Sequence, residues 1–173
     1  AQRSPDISAL PAGLRPVVGF AFRRLKILDL SDAASQPLRS ADGSCWVVFN
    51  GEIYNYRDLR AELSALGHRF HSSGDTEVLL AAYEQWGTGG FDRLDGMWAM
   101  VLLDLNRRLL VASRDRFGIK PLHWSLQGSS LLLASEIKQI LAASQETPRV
   151  NVRMVENYLR GRRSPILDDT YFE

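Results

Sequence analysis

The sequence predicts an α+β fold built on antiparallel sheets. Short apolar runs come in consecutive pairs joined by polar turns, which is the pattern of hairpins. The helical patterns are grouped between those pairs and do not alternate with single strands, which argues against a parallel βαβ sheet. The length, 173 residues, suits one domain with one proper core.

Ala1 to Pro16 carries Pro5, Pro11, Gly13 and Pro16 and reads as turns and extended loop. Val17 to Leu30 is rich in β-branched and aromatic residues and is predicted as a strand, and Cys45 to Phe49 as a second one, followed directly by Asn50-Gly51. Leu59, Leu63 and Leu66 within Arg57–Leu66 recur at helical spacing, as do Val78, Leu79, Ala82, Tyr83 and Trp86 within Thr76–Trp86. Met97–Asp104 and Leu109–Ser113 flank Asn106-Arg107-Arg108 and predict a hairpin. A second pair, Leu122–Leu126 and Leu131–Ala134, flanks Gln127-Gly128-Ser129. Helical patterns resume over Glu136–Ala143 and Val152–Arg160.

Composition excludes several classes. Lys and Arg total 21 against 20 Asp and Glu, so the net charge of +1 lacks the basic footprint of a nucleic-acid binder. The longest apolar run, Met97 to Leu103, is far short of the roughly 20 residues of a membrane helix. The lone Cys45 forms neither an internal disulfide nor a cysteine-based zinc site, which points to a reducing compartment, and cytoplasm is the expectation. His68, His71 and His123 lack metal-ligand spacing, so no metal site is expected, and His68 and His71 read as solvated residues at a helix-to-strand turn.

Four places could carry chemistry, each with a plainer reading beside it. Asn50-Gly51 at a strand end can aim a side-chain NH₂ and a backbone N–H at one point, as an oxyanion hole requires. The same dipeptide is the strongest short signal for a type I′ hairpin turn, and composition favours that turn. Against it, helix follows quickly, with Asn55 at its N-cap and Asp58 three residues on. Arg23 and Arg24 lie within an apolar stretch, so one of them is either buried against a carboxylate or solvated on an edge. Asp75 stands where a helix begins and reads first as an N-cap. Asp115, bracketed by Arg114 and Arg116, reads as a local ion-pair cluster.

Taken in order, Phe22-Arg23-Arg24-Leu25-Lys26-Ile27-Leu28-Asp29-Leu30, Gln36-Pro37-Leu38, Phe49-Asn50-Gly51-Glu52-Ile53-Tyr54-Asn55, Ser73-Gly74-Asp75-Thr76-Glu77-Val78, Leu94-Asp95-Gly96-Met97-Trp98-Ala99, the run Arg114 to Leu122, and Ala134-Ser135-Glu136-Ile137-Lys138 closely resemble the glutamine-dependent asparagine synthetases. The resemblance extends from about Arg3 to beyond Lys138. It implies a four-layer αββα N-terminal-nucleophile hydrolase fold, two antiparallel sheets between helical layers, and a class II glutamine amidotransferase activity. In that family an N-terminal cysteine thiolate attacks the glutamine side-chain amide, with its own α-amino group as general base. Carried over, Asn50 and Gly51 would form the oxyanion hole, Arg24 would grip the α-carboxylate of glutamine and Asp75 its α-ammonium. Leu25, Lys26, Ile27, Leu28 and Glu52 would line the pocket. A bidentate arginine and an aspartate together suit an amino acid's zwitterionic end.

The resemblance also carries expectations about the chain's limits. Ala1-Gln2-Arg3-Ser4-Pro5-Asp6 matches a family segment that follows the first strands, so residues 1–150 are expected to be the amidotransferase domain without those strands or the nucleophile. Residues 151–173 would be a helical segment leading to an absent synthetase domain, which would bind ATP and Mg and would be the domain's natural partner, with no cofactor in this chain. Cys45 is internal and reads as an inert core thiol, so turnover by the fragment is not expected. The parent enzyme would hydrolyse glutamine and pass ammonia to aspartyl-adenylate to make asparagine. Two alternatives stay open: a non-catalytic glutamine-binding or scaffolding module, and an amidotransferase acting on a different carboxylate. A sheet edge left bare by the lost strands would favour self-association, so a homodimer is among the expected partners.

Overall fold

The structure is a computed structural model that describes residues 18–23, 34–144, 147–162 and 170–172. The chain divides into two compact units, Ala1–Leu122 and His123–Glu173.

In the first unit a four-stranded antiparallel sheet runs in the order β1 (Leu38–Arg39), β2 (Cys45–Ile53), β3 (Gly96–Asp104) and β4 (Leu109–Arg114). Helices α1 (Tyr56–Ala65) and α2 (Asp75–Trp86), followed by a 3₁₀ segment at Gly87–Arg93, are inserted between β2 and β3. Both helices form where the 3.6-residue apolar period predicts them, and the β3–β4 hairpin lies where the paired apolar runs predict it. Side chains of a strand alternate between faces. Cys45, Val47, Phe49 and Ile53 therefore point one way, into a core with Leu59 and Leu63 of α1, the Val78–Tyr83 stretch of α2, and Trp98, Met100 and Leu102 of β3. Helix α2 is buried nearly all round, which marks it as the central helix of this unit. Trp46, Val48, Asn50 and Glu52 face the opposite side of the sheet and are half-buried.

Three expectations change here. No strand forms in residues 18–23, and the rest of the expected Val17–Leu30 strand lies outside the described residues. Strand β2 continues past Phe49 to Ile53. His68 sits between two helices, not at a helix-to-strand turn, and its Nε2 lies 3.0 Å from Gln85 Oε1.

In the second unit, β5 (His123–Gln127) and β6 (Ser130–Ala134) form a two-stranded antiparallel sheet, followed by α3 (Ile137–Ala143) and α4 (Val152–Leu159). Glu136 and Gln139 close a capping box at the start of α3, and Asn151 Oδ1 accepts from Met154 N at the start of α4. The fold class is α+β with two antiparallel sheets, as expected.

Candidate functional site

The Asn50-Gly51 pair lies inside a strand, not in a hairpin turn. Along β2, Asn50 is opposite Ala99, Gly51 opposite Trp98, and Glu52 opposite Met97. Glycine is required at 51 for room: a Cβ there would run into the Met97 carbonyl oxygen and lie 2.8 Å from Trp98 Cα. The local turn signal was thus a signal of close strand approach.

The direction of each backbone group along β2 follows from its partners. Trp98 directs both its N–H and its C=O at Asp115: Trp98 N donates to Asp115 Oδ2 (3.2 Å) and Asp115 N donates to Trp98 O (2.8 Å). Gly51 and Trp98 therefore form a non-hydrogen-bonded pair, and Gly51 presents its N–H and C=O to the edge away from β3. Phe49 and Ile53 present theirs to the same edge. Phe49 N donates to Gln36 Oε1 (2.6 Å) while Gln36 Nε2 donates to Phe49 O (2.9 Å), and Ile53 N donates to Asp75 Oδ2 (3.0 Å). Gly51 N–H, between these two held positions, meets no acceptor among the described residues. The Asn50 carboxamide next to it on the half-buried face is likewise uncommitted among them.

Asp75 does not cap α2. The cap position is Gly74, and Asp75 is the first helical residue, only 6% exposed, with its carboxylate turned to the end of β2. Burial pushes its carboxyl above the usual range; N–H donors from Ile53, Asp75 and Thr76 oppose the rise, and the nearby Glu52 charge adds to it. The preceding loop is held on two sides. Arg60 of α1 stacks over Phe70 at 4.5 Å and donates to Ser72 O (2.8 Å) and Gly74 O (2.7 Å). Glu77 accepts from the His71 and Ser72 N–H groups and from Ser72 Oγ. A buried carboxylate with a raised pKa, on a rigid helix start, is suited to an incoming cation.

Asp115 is not an ion-pair partner of its flanking arginines. It is 5% exposed and accepts backbone N–H bonds from Trp98, Phe117, Ile119 and Lys120. Burial tends to raise its carboxyl, but these donors outweigh that and hold it below the usual range. Arg114 instead wraps the outside of the loop, donating to Lys120 O and Gly118 O at 2.6 Å each.

Of the remaining candidates, Arg23 is exposed, while Arg24, Leu25, Lys26, Ile27 and Leu28 lie outside the described residues. Cys45 is buried at 4% exposure in β2, and burial pushes its thiol up. The structure thus gathers Asn50, Gly51, Glu52 and Asp75 at one end of β2. It adds two residues that sequence reasoning gave no role, Gln36 and Arg60. Gln36 was visible only as part of a family string, and Arg60 had no sequence signal. Among the described residues no three His, Cys, Asp or Glu side chains gather to hold a metal ion, and no helix is long and apolar enough to cross a membrane.

The chain is 43% identical over 129 residues to asparagine synthetase [glutamine-hydrolyzing] 1 of Bacillus subtilis, which covers 75% of this chain and 20% of that protein. It is 37% identical over all 173 residues to amidase chry2 of Gibberella zeae, covering 25% of that protein. The chain therefore spans about a fifth to a quarter of the length of these relatives. Among solved structures, the glutamine phosphoribosylpyrophosphate amidotransferase of B. subtilis superposes with a TM-score of 0.54 at 25% identity, over 62% of this chain and 26% of that one. These neighbours are N-terminal-nucleophile hydrolases, the fold class expected from the sequence. A family profile described as glutamine amidotransferase domain matches residues 1–173, and the chain belongs to that family.

Proposed function

We propose that this chain is the glutamine-hydrolysing domain of an asparagine synthetase, releasing ammonia from the glutamine side chain for transfer to aspartyl-adenylate. The observation that carries the reading is the open Gly51 N–H beside the Asn50 carboxamide, flanked by held positions at Phe49 and Ile53. Such a pair of donors stabilises the oxyanion that forms when a thiolate attacks an amide carbonyl. Asp75 receives the α-ammonium of glutamine, which would restore its charged form, and Glu52 lines the same end of the strand. Arg24 takes the α-carboxylate, with Leu25 to Leu28 beside it. The nucleophile is an N-terminal cysteine whose α-amino group acts as base; Cys45, buried in the core with a raised thiol, is not suited to that part.

Residues 1–150 form the amidotransferase domain in this reading, and residues 151–173, which include α4, lead to the synthetase domain. ATP and Mg belong to that domain, and no step of the glutaminase half uses them. The protein acts in the cytoplasm, with glutamine as its small-molecule substrate.

Glutamate release from glutamine by the full-length protein tests this. Asn50→Ala is expected to lower kcat by about 10²–10³-fold, the usual cost of an oxyanion donor. Activity that survives Asn50→Ala undiminished would remove the oxyanion assignment.

A second reading is an amidotransferase acting on a carboxylate other than aspartate. It is favoured by a relative that matches the whole chain and is called an amidase and not an asparagine synthetase. Product analysis with aspartate as the sole acceptor separates the two: asparagine supports the first, and ammonia released without asparagine supports the second.

A further inference from the structure

We propose that Gln36 is a positioning residue that keeps the Gly51 N–H open and aligned for the developing oxyanion; this rests on the glutaminase reading above. Strand β1 pairs with β2 only at Leu38↔Val47 and Arg39↔Trp46. Continuing that register would set residue 36 opposite Phe49, and residue 34 opposite Gly51. The backbone ladder itself ends at Leu38. The Gln36 side chain takes over instead, pairing with both the N–H and the C=O of Phe49 at 2.6 and 2.9 Å.

The consequence lies in where pairing stops. A backbone partner at this edge would run on to Gly51 and take up its N–H. A carboxamide satisfies one residue and ends there. Phe49 is held, Gly51 two residues later meets no acceptor among the described residues, and Asp75 holds Ile53 two residues further on. The strand is thus fixed on either side of this donor without any described residue using the donor. Because successive peptides share one rigid backbone, a loose Phe49 would let both the Gly51 N–H and the Asn50 side chain drift, and small misplacements are costly in catalysis.

The test is steady-state glutaminase kinetics of the full-length protein and its Gln36→Ala and Gln36→Glu variants, with thermal melting alongside. Gln36→Ala is expected to lose about tenfold in kcat while KM for glutamine stays within twofold, because the lost alignment matters to the oxyanion and not to the zwitterionic end. Gln36→Glu keeps the acceptor for Phe49 N–H but has no donor for Phe49 O until it is protonated. Its kcat relative to wild type should therefore rise as pH falls from 8 to 5, a signature that general loosening would not produce. Gln36→Glu carries the test alone if Gln36→Ala does not fold. An unchanged kcat overturns the proposal, as does a loss shared equally by kcat and KM with a flat pH ratio. A wild type that releases no glutamate overturns the glutaminase reading and this inference with it, whereas an active wild type matched by both variants overturns this inference alone.

Discussion

Asp75 and Asp115 are two buried aspartates that bind backbone N–H groups of one sheet, and their surroundings treat them in opposite ways. Each is at most 6% exposed, and each accepts N–H groups from the strands that meet at Gly51: Asp75 from Ile53 of β2, Asp115 from Trp98 of β3. Asp115 is saturated. Its two oxygens take four backbone donors, and the carboxyl is held below the usual range against the push of burial. Asp75 has N–H donors from Ile53, Asp75 and Thr76, but burial, with Glu52 as a like-charged neighbour, prevails over them in raising its carboxyl. A carboxylate whose lone pairs are all taken organises a loop; one whose burial outweighs its donors is suited to a cation. The Asp115 loop stabilises the frame, whereas in the glutaminase reading the Asp75 corner would receive the ligand.

The comparison is broken most severely at Asp115. Asp115→Ala leaves four N–H groups near the protein interior without their acceptor and is expected to cost about 4 kcal/mol of stability, read by chemical denaturation. The lowered carboxyl contributes stability that is present above its unfolded value of 3.8 and is lost as pH falls through the lower folded value. The gap between wild type and Asp115→Ala should therefore narrow in strong acid. A gap that stays constant from pH 7 to pH 2 would mean that the charge has no part in it.

Asp75 should respond in the opposite sense. Asp75→Asn keeps an acceptor for Ile53 N–H and removes a buried charge that burial and Glu52 disfavour. Glutamine binding is expected to weaken by at least about 2 kcal/mol, roughly 30-fold, seen in KM or by calorimetry. The same variant should gain about 1 kcal/mol of stability at neutral pH, the usual exchange between function and stability. A raised carboxyl contributes stability that is complete below 3.8 and lost as pH rises through its folded value, so the gain should vanish below pH 3.8. Weaker binding without the stability gain would show that the Asp75 charge is better tolerated than its burial implies.

Much of this arrangement was legible in the sequence, and the losses have a common physical cause. Helices α1 and α2 and the β3–β4 hairpin follow local periodicity, so their residues carried the information themselves. Asn50-Gly51 did not: a turn was the better local reading, and only the close approach of β3 explains why glycine is needed there. Asp75 read as a cap because nothing near it in the chain shows Ile53, 22 residues upstream, as its partner. Asp115 read as an ion pair because its flanking arginines are charged, whereas its partners are backbone N–H groups that every sequence supplies. Contacts between side chain and backbone leave no pattern in residue types, and the site is held together largely by such contacts.

The gentlest perturbation of the comparison is at Arg60, which supports the Asp75 corner without touching the site. Its guanidinium bridges two carbonyls of the loop before α2 while lying on Phe70. Arg60→Lys keeps the charge but cannot span both Ser72 O and Gly74 O from one planar fork. The expected cost is about 1 kcal/mol, one lost charge-assisted bond partly offset by solvent at a half-buried position, read as a shift of a few degrees in Tm. KM for glutamine should rise with it, by roughly fivefold or less, while kcat stays near wild type, because in the glutaminase reading Asp75 would bind the ligand's ammonium and the oxyanion donors would lie on β2. A fall in kcat at unchanged KM would mean that the loop is coupled to the oxyanion end of the strand, and that the Asp75 corner and the Gly51 edge move as one unit.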